Sequence, residues 1–162
     1  MLLRVVTIAL SILMISNDAM ALDVTGTWKG NFTCSGFNGK KFNYTDKNHI
    51  LKITQTNNDL VVKWTNENTN FTGFVIDDQQ LPDTKGQLAF ANCKTQADLT
   101  TDSELAQLNV SINRIKRNGT LTGISIYTLP ADNTGNTNVV GQCKWNFKLI
   151  DIADPEVTNS CQ

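Results

Sequence analysis

From Gln142 to Leu149 the chain alternates without a fault. Cys143, Trp145, Phe147 and Leu149 are apolar, and Gln142, Lys144, Asn146 and Lys148 between them are polar. Period two puts the two sets on opposite faces of an extended strand, so this segment belongs in a sheet with one buried and one wet side. The same pattern recurs along the chain. In Thr25–Cys34, Trp28, Gly30, Phe32 and Cys34 share a face opposite Lys29, Asn31 and Thr33. Further runs cover His49–Thr56, Leu60–Thr65, Phe71–Asp77, Gln87–Lys94, Ala106–Ile115 and Thr120–Leu129. That makes about eight strands punctuated by Asn, Asp and Gly, and an all-β fold.

No long segment has helical period. The best helical candidate is one turn within Thr100–Leu108, capped by Thr101, Asp102 or Ser103. Asn118-Gly119 reads as a type I′ hairpin turn, because both residues tolerate positive φ. Ser35–Asn48 and Pro130–Asn138 read as long polar connections. A single up-and-down antiparallel meander leaves two raw edges, and closing it into a barrel removes both. A two-sheet sandwich is the alternative.

Four cysteines, Cys34, Cys93, Cys143 and Cys161, allow three pairings. Barrel closure would make the first and eighth strands antiparallel neighbours, with Cys34 and Cys143 on the inward face at the same end. That favours Cys34 with Cys143, and Cys93 with Cys161 to tie down the tail after Ile152.

Disulfides suit an exported chain, and residues 1–21 read as a signal peptide. Arg4 gives a positive start, Val5–Ile15 is a short apolar run, and Ala19-Met20-Ala21 is a small-x-small cleavage site. The run is too short for a permanent span, which needs about 20 residues. Residues 22–162 then form one β-barrel domain with a polar C-terminal tail, periplasmic or extracellular. Five Asn-x-Ser/Thr sequons begin at Asn31, Asn43, Asn70, Asn109 and Asn118.

The formal net charge is −1, which argues against an electrostatic nucleic-acid binder and gives no polybasic membrane patch. Arg114-Ile115-Lys116-Arg117 reads as a solvated hairpin end. Catalytic signatures are thin. His49 is the only histidine, so a histidine-based metal site lacks its second ligand, and no Gly-x-Ser-x-Gly elbow places a nucleophile. His49 reads as a strand-edge residue and Asp77-Asp78 as a solvated hairpin end. Neither enzyme nor cofactor is implied.

The aromatic residues are more telling. Trp28, Phe32, Trp64, Phe90, Trp145 and Phe147 all fall on inward positions. Rings of roughly 150–250 Å² each would fill much of a small barrel and leave any cavity near one mouth.

Gly26-Thr27-Trp28, opening the first strand of a meander, resembles the calycin group of lipocalins, avidins and their relatives. The resemblance implies a barrel that binds a small molecule inside. The lipocalin arginine near the last strand is replaced here by Lys144 and Lys148. The avidin Asn and Ser positions are Gly30 and Cys34, so biotin binding is not carried over. Phe32-Thr33-Cys34-Ser35-Gly36 is similar to the opening of periplasmic lysozyme-inhibitor barrels, although their Ser-Gly-x-Arg-Tyr loop has no counterpart. The expected function is an exported binding module holding a small, largely apolar ligand at a mouth lined by Trp28, Trp64 and Trp145. The alternative is an inhibitor or assembly factor that binds a protein partner through loops or its outer surface.

Overall fold

The computed structural model describes residues 22–66, 69–76, 84–93, 103–129 and 139–158. Residues 1–21, expected to be a signal peptide, and Asp77-Asp78, Pro130–Asn138 and Cys161 lie outside the described residues. Eight strands follow in order: β1 (Gly26–Asn38), β2 (Lys40–Thr56), β3 (Asp59–Trp64), β4 (Thr69–Ile76), β5 (Lys85–Asn92), β6 (Ser103–Asn113), β7 (Asn118–Leu129) and β8 (Val139–Asp151). Each pairs antiparallel with its sequence neighbours, and β1 closes on β8 from Thr27 opposite Asp151 to Phe37 opposite Val140. The fold is therefore one closed up-and-down barrel, and not a sandwich.

Alternation sets which side is which. On β8, Cys143, Trp145, Phe147 and Leu149 are buried, and Gln142, Lys144, Asn146 and Lys148 are exposed. From Gln142 to Leu149, β8 thus turns its apolar side inward and its polar side outward, the reverse of a lipid-facing strand. Among the described residues no helix is long and apolar enough to cross a membrane. Trp28, Phe32, Trp64, Phe90, Trp145 and Phe147 are each at most 5 % exposed, so the barrel interior is packed with rings.

Closure also delivers the expected bridge. Cys34 stands directly opposite Cys143, and the two form a disulfide with Cα atoms 4.0 Å apart. Cys93 is disulfide-bonded as well, and its expected partner, Cys161, is outside the described residues.

Three local expectations change. The segment Ser35–Asn48 is no loose connection but the long outer part of the β1–β2 hairpin, turning at Gly39 with φ 65°. Its strands lack a continuous apolar face, which hid them, yet Phe42, Tyr44 and Asp46 alternate with Lys41, Asn43 and Thr45. Ser103–Leu108 is strand, not a helical turn: pairing with β7 throughout, and with β5 from Leu105 on, outweighs a local cap signal. Asn118-Gly119 opens β7 instead of forming the turn. The loop is Arg114–Arg117, closed by Asn113 opposite Asn118, and the positive φ falls on Arg117 (52°). Asn113 Oδ1 accepts from Lys116 N at 2.8 Å, and this side-chain bond stabilises the four-residue loop over the two-residue one.

One end of the barrel is sealed. Residues Leu22–Thr25 run across it, held by Gln55: its Oε1 accepts from Val24 N (2.9 Å) and its Nε2 donates to Leu22 O (2.8 Å). Val24 is fully buried. Arg114 leaves the expected solvated hairpin end and locks this floor. Its guanidinium donates to Thr25 O (2.7 Å) and Ile152 O (3.1 Å) and pairs with Asp23 at 3.3 Å. Ile115 beside it is fully solvated, as expected.

Candidate functional site

At the opposite end, here called the mouth, the described residues form two matched chains of hydrogen bonds. In the first, Trp64 Nε1 donates to His49 Nδ1 at 2.7 Å, and His49 Nε2 faces Asp46 Oδ2 at 3.0 Å. Since Nδ1 accepts the indole proton, it carries the lone pair, and the imidazole proton sits on Nε2 toward the carboxylate. In the second, Trp145 Nε1 donates to Ser125 Oγ at 2.8 Å, and Ser125 Oγ donates to Glu104 Oε1 at 2.6 Å. The two indoles lie 5.1 Å apart. Each chain thus runs from the aromatic core outward to a carboxylate.

His49 is therefore not a strand-edge residue. It is 3 % exposed, packed edge-on against Phe32 and Trp64. Its placement with Asp46 depends on a bulge. Gly30 pairs with His49 and Phe32 with Asp46, so three steps along β2 match two along β1. Residues three apart on a regular strand point to opposite faces, and the extra residue returns Asp46 to the side of His49. Asn48, with φ 65°, absorbs the irregularity, a conformation that Asn tolerates well.

Around these chains the rings climb outward from the core. Phe71 and Phe90 pack against Trp145; Phe32 meets Trp64 at 4.8 Å and Tyr44 at 6.2 Å; Tyr44 stacks on Phe42 at 6.1 Å. Tyr44 is half exposed. Tyr127 reaches the same mouth from β7, in the space that a side chain at Gly141 would fill. Burial holds the Tyr127 phenol above its ordinary value, with Tyr44 and Glu104 adding to the effect. The His49 hydrogen bond, then the Lys47 amide, hold the Asp46 carboxyl below its ordinary value.

Of the three tryptophans expected at the mouth, Trp64 and Trp145 come together there. Trp28 points the other way: its Nε1 donates to Val24 O at 3.1 Å, and its Cη2 atom stands 3.0 Å from where a Cβ on Gly119 would be. It is Gly119 that lies against this indole; the space beside Gly30 is taken by Phe147. Sequence reasoning passed over Ser125 and Glu104, although parity alone puts both inward, Ser125 between Leu121 and Tyr127 and Glu104 with Ala106 and Leu108. Asp46 had a fainter signal, an Asn at the position where a bulge needs positive φ.

The class defined by fold and mouth is an eight-stranded closed antiparallel barrel, floored at one end and ring-lined at the other, consistent with a calycin-like barrel. No family model, no curated protein and no solved structure matches the chain.

Proposed function

We propose that the chain is an exported, non-enzymatic binding module whose mouth takes a small, largely apolar ligand above Trp64 and Trp145. The observation that supports this reading most is the unbroken ladder of rings from Phe71 through Trp64 and Phe32 to the half-exposed Tyr44. Buried rings occupy the interior, so this reading seats the ligand on the ladder's upper rungs, among Phe42, Tyr44 and Tyr127. The two hydrogen-bond chains hold the underlying indoles still, which lowers the ordering cost of binding. His49 and Ser125 belong to separate chains, each already engaged on both sides, and this supports a positioning role for them over a catalytic one.

Native mass spectrometry of protein purified from its own compartment, with tryptophan fluorescence across a panel of small apolar molecules, tests the reading. A co-purifying mass or a saturable fluorescence change is expected, weakened in Tyr44→Ala. A clean apo mass with no response to the panel sinks it.

The second reading, a protein-interaction module, is favoured by the outer wall. Phe74, Leu105, Ile124 and Ile126 are all more than 40 % exposed. An open depression of about 470 Å³ runs between Phe74 and Leu105 over Ala89 and Ala91. Retention of one partner in a pull-down, lost in Phe74→Ser, would replace the small-ligand reading.

A further inference from the structure

Charge divides the outside of the barrel into two walls. Among the described outward positions of β4–β7, Lys85 is the only charged side chain. On the other wall, outward positions of β8, β1, β2 and β3 carry Lys144, Lys148, Lys29, Lys52 and Lys63. The outward acids on these strands, Asp59 and Asp151, stand at strand ends. From the tail after β8, Asp154 reaches the edge of the wall, where its Oδ1 accepts from Thr54 Oγ1 at 2.8 Å.

The register packs these lysines closely. Lys29 is directly opposite Lys148, and Lys52 is directly opposite Lys63. Thr27 pairs with Lys52, so Lys29 and Lys52 are diagonal neighbours. Directly opposed side chains start roughly 5 Å apart and diagonal ones roughly 7–8 Å, and like charges so placed destabilise a sheet. Among the described residues, none of the four makes an ion pair with a carboxylate. A continuous run of ammonium groups, Lys148–Lys29–Lys52–Lys63, therefore crosses four strands at a standing cost in stability. Asn31 opposite Asn146, and Thr33 opposite Lys144, set hydrogen-bonding side chains just beside it.

We propose that this wall, separate from the mouth, binds a linear acidic polysaccharide. Its carboxylates or sulfates lie along the lysine run, and Asn31, Asn146 and Thr33 bond its hydroxyl groups. The chemistry selects this partner over other polyanions. Single-stranded nucleic acid is held by aromatic stacking, and the outward ring described on this wall, Phe37, stands at the far end of β1 opposite Lys41, away from the run. An anionic bilayer is gripped by large exposed apolar side chains set among the basic ones. Here Ile50, opposite Lys29, and Val61, beside Lys63, are half-buried, and Ile150 is exposed at the end of β8. The row on the other side of Lys29 and Lys148 is the amide pair Asn31 and Asn146.

Calorimetry with heparin as the sulfated probe and polygalacturonate as the carboxylated one tests the proposal. The variants are Lys29→Gln/Lys148→Gln and Lys52→Gln/Lys63→Gln, with Lys85→Gln/Lys116→Gln as a control of equal charge loss off the wall. Wild type and control should bind at least one probe, more weakly as salt rises, and each wall variant should lose about tenfold in affinity. The wall variants should melt at the wild-type temperature or above it, since repulsion has been relieved. Tyr44→Ala should bind the polysaccharide as wild type does, so that failure at the mouth and failure at the wall read out separately. No binding of either probe at low salt overturns the proposal. Equal losses in wall and control variants overturn it too, as does tighter binding of oligothymidine, polyglutamate or phosphatidylglycerol vesicles than of both polysaccharides.

Discussion

The two ends of this barrel use tryptophan in opposite ways. At the floor, the Trp28 indole donates to a main-chain carbonyl, Val24 O, and is covered by the segment that carries it. At the mouth, Trp64 and Trp145 donate to side chains, and those side chains lead on to carboxylates. A backbone acceptor survives any single substitution and cannot titrate. A side-chain acceptor can be removed and its outer partner can gain a proton. The floor thus rests on a main-chain contact, and the mouth on side-chain contacts that substitution or protonation can break.

The largest effect should come from emptying the floor. Trp28→Ala should cost about 3–5 kcal/mol, the range for a buried aromatic site whose cavity cannot fully collapse. That is a large share of the ~5–15 kcal/mol that holds a domain of this size. Trp64→Ala should cost less, because its ring is slightly less buried than that of Trp28 and lies toward the mouth. Urea melts of the two variants give the order. A Trp64→Ala protein less stable than Trp28→Ala would invert the comparison and make the mouth the seat of stability.

Arg114→Ala sharpens the comparison at the next level. It removes two charge-assisted bonds to carbonyls and the partner of Asp23, at about 1–3 kcal/mol. The loss should be local. Hydrogen exchange should rise first at the amides of Val24 and Thr25, while the mouth indole protons of Trp64 and Trp145 stay protected. Equal loosening at both ends would mean that floor and mouth are one cooperative unit.

The smallest effect is a pH dependence at the mouth alone. Because the His49 bond lowers the folded-state Asp46 pKa, its contribution is fully present above the ordinary carboxyl value of 3.8 and is lost as pH falls through the lowered one. Thermal melts between about pH 2 and 5 should show a slightly shallower acid limb in Asp46→Asn than in wild type. In the same window the Trp64 indole proton resonance should shift in wild type, and the Trp28 one should not move. A Trp28 shift matching that of Trp64 would show that the acid response is global.

What could be read along the chain was whatever a strand states by itself. Strict alternation in β8 and β1 gave the inward set, the inward set gave the rings, and closure followed because hairpin-linked strands must hide their edges. The Cys34–Cys143 bridge then came from counting parity and strand direction. Errors arose where a residue's role depends on a partner far away. Ser103 could have capped a turn in isolation, and only its pairing with Thr128 on β7 makes it a strand. Arg114 looked solvated because its acceptors, Thr25 O and Ile152 O, are 89 and 38 residues away. His49 looked solitary because a single bulge at Asn48 turns Asp46 to meet it. The lysines are the clearest case. Spread singly from Lys29 to Lys148, they form no basic run in a chain of net charge −1, and strand register alone, which brings distant residues within a few ångströms, gathers them into one wall.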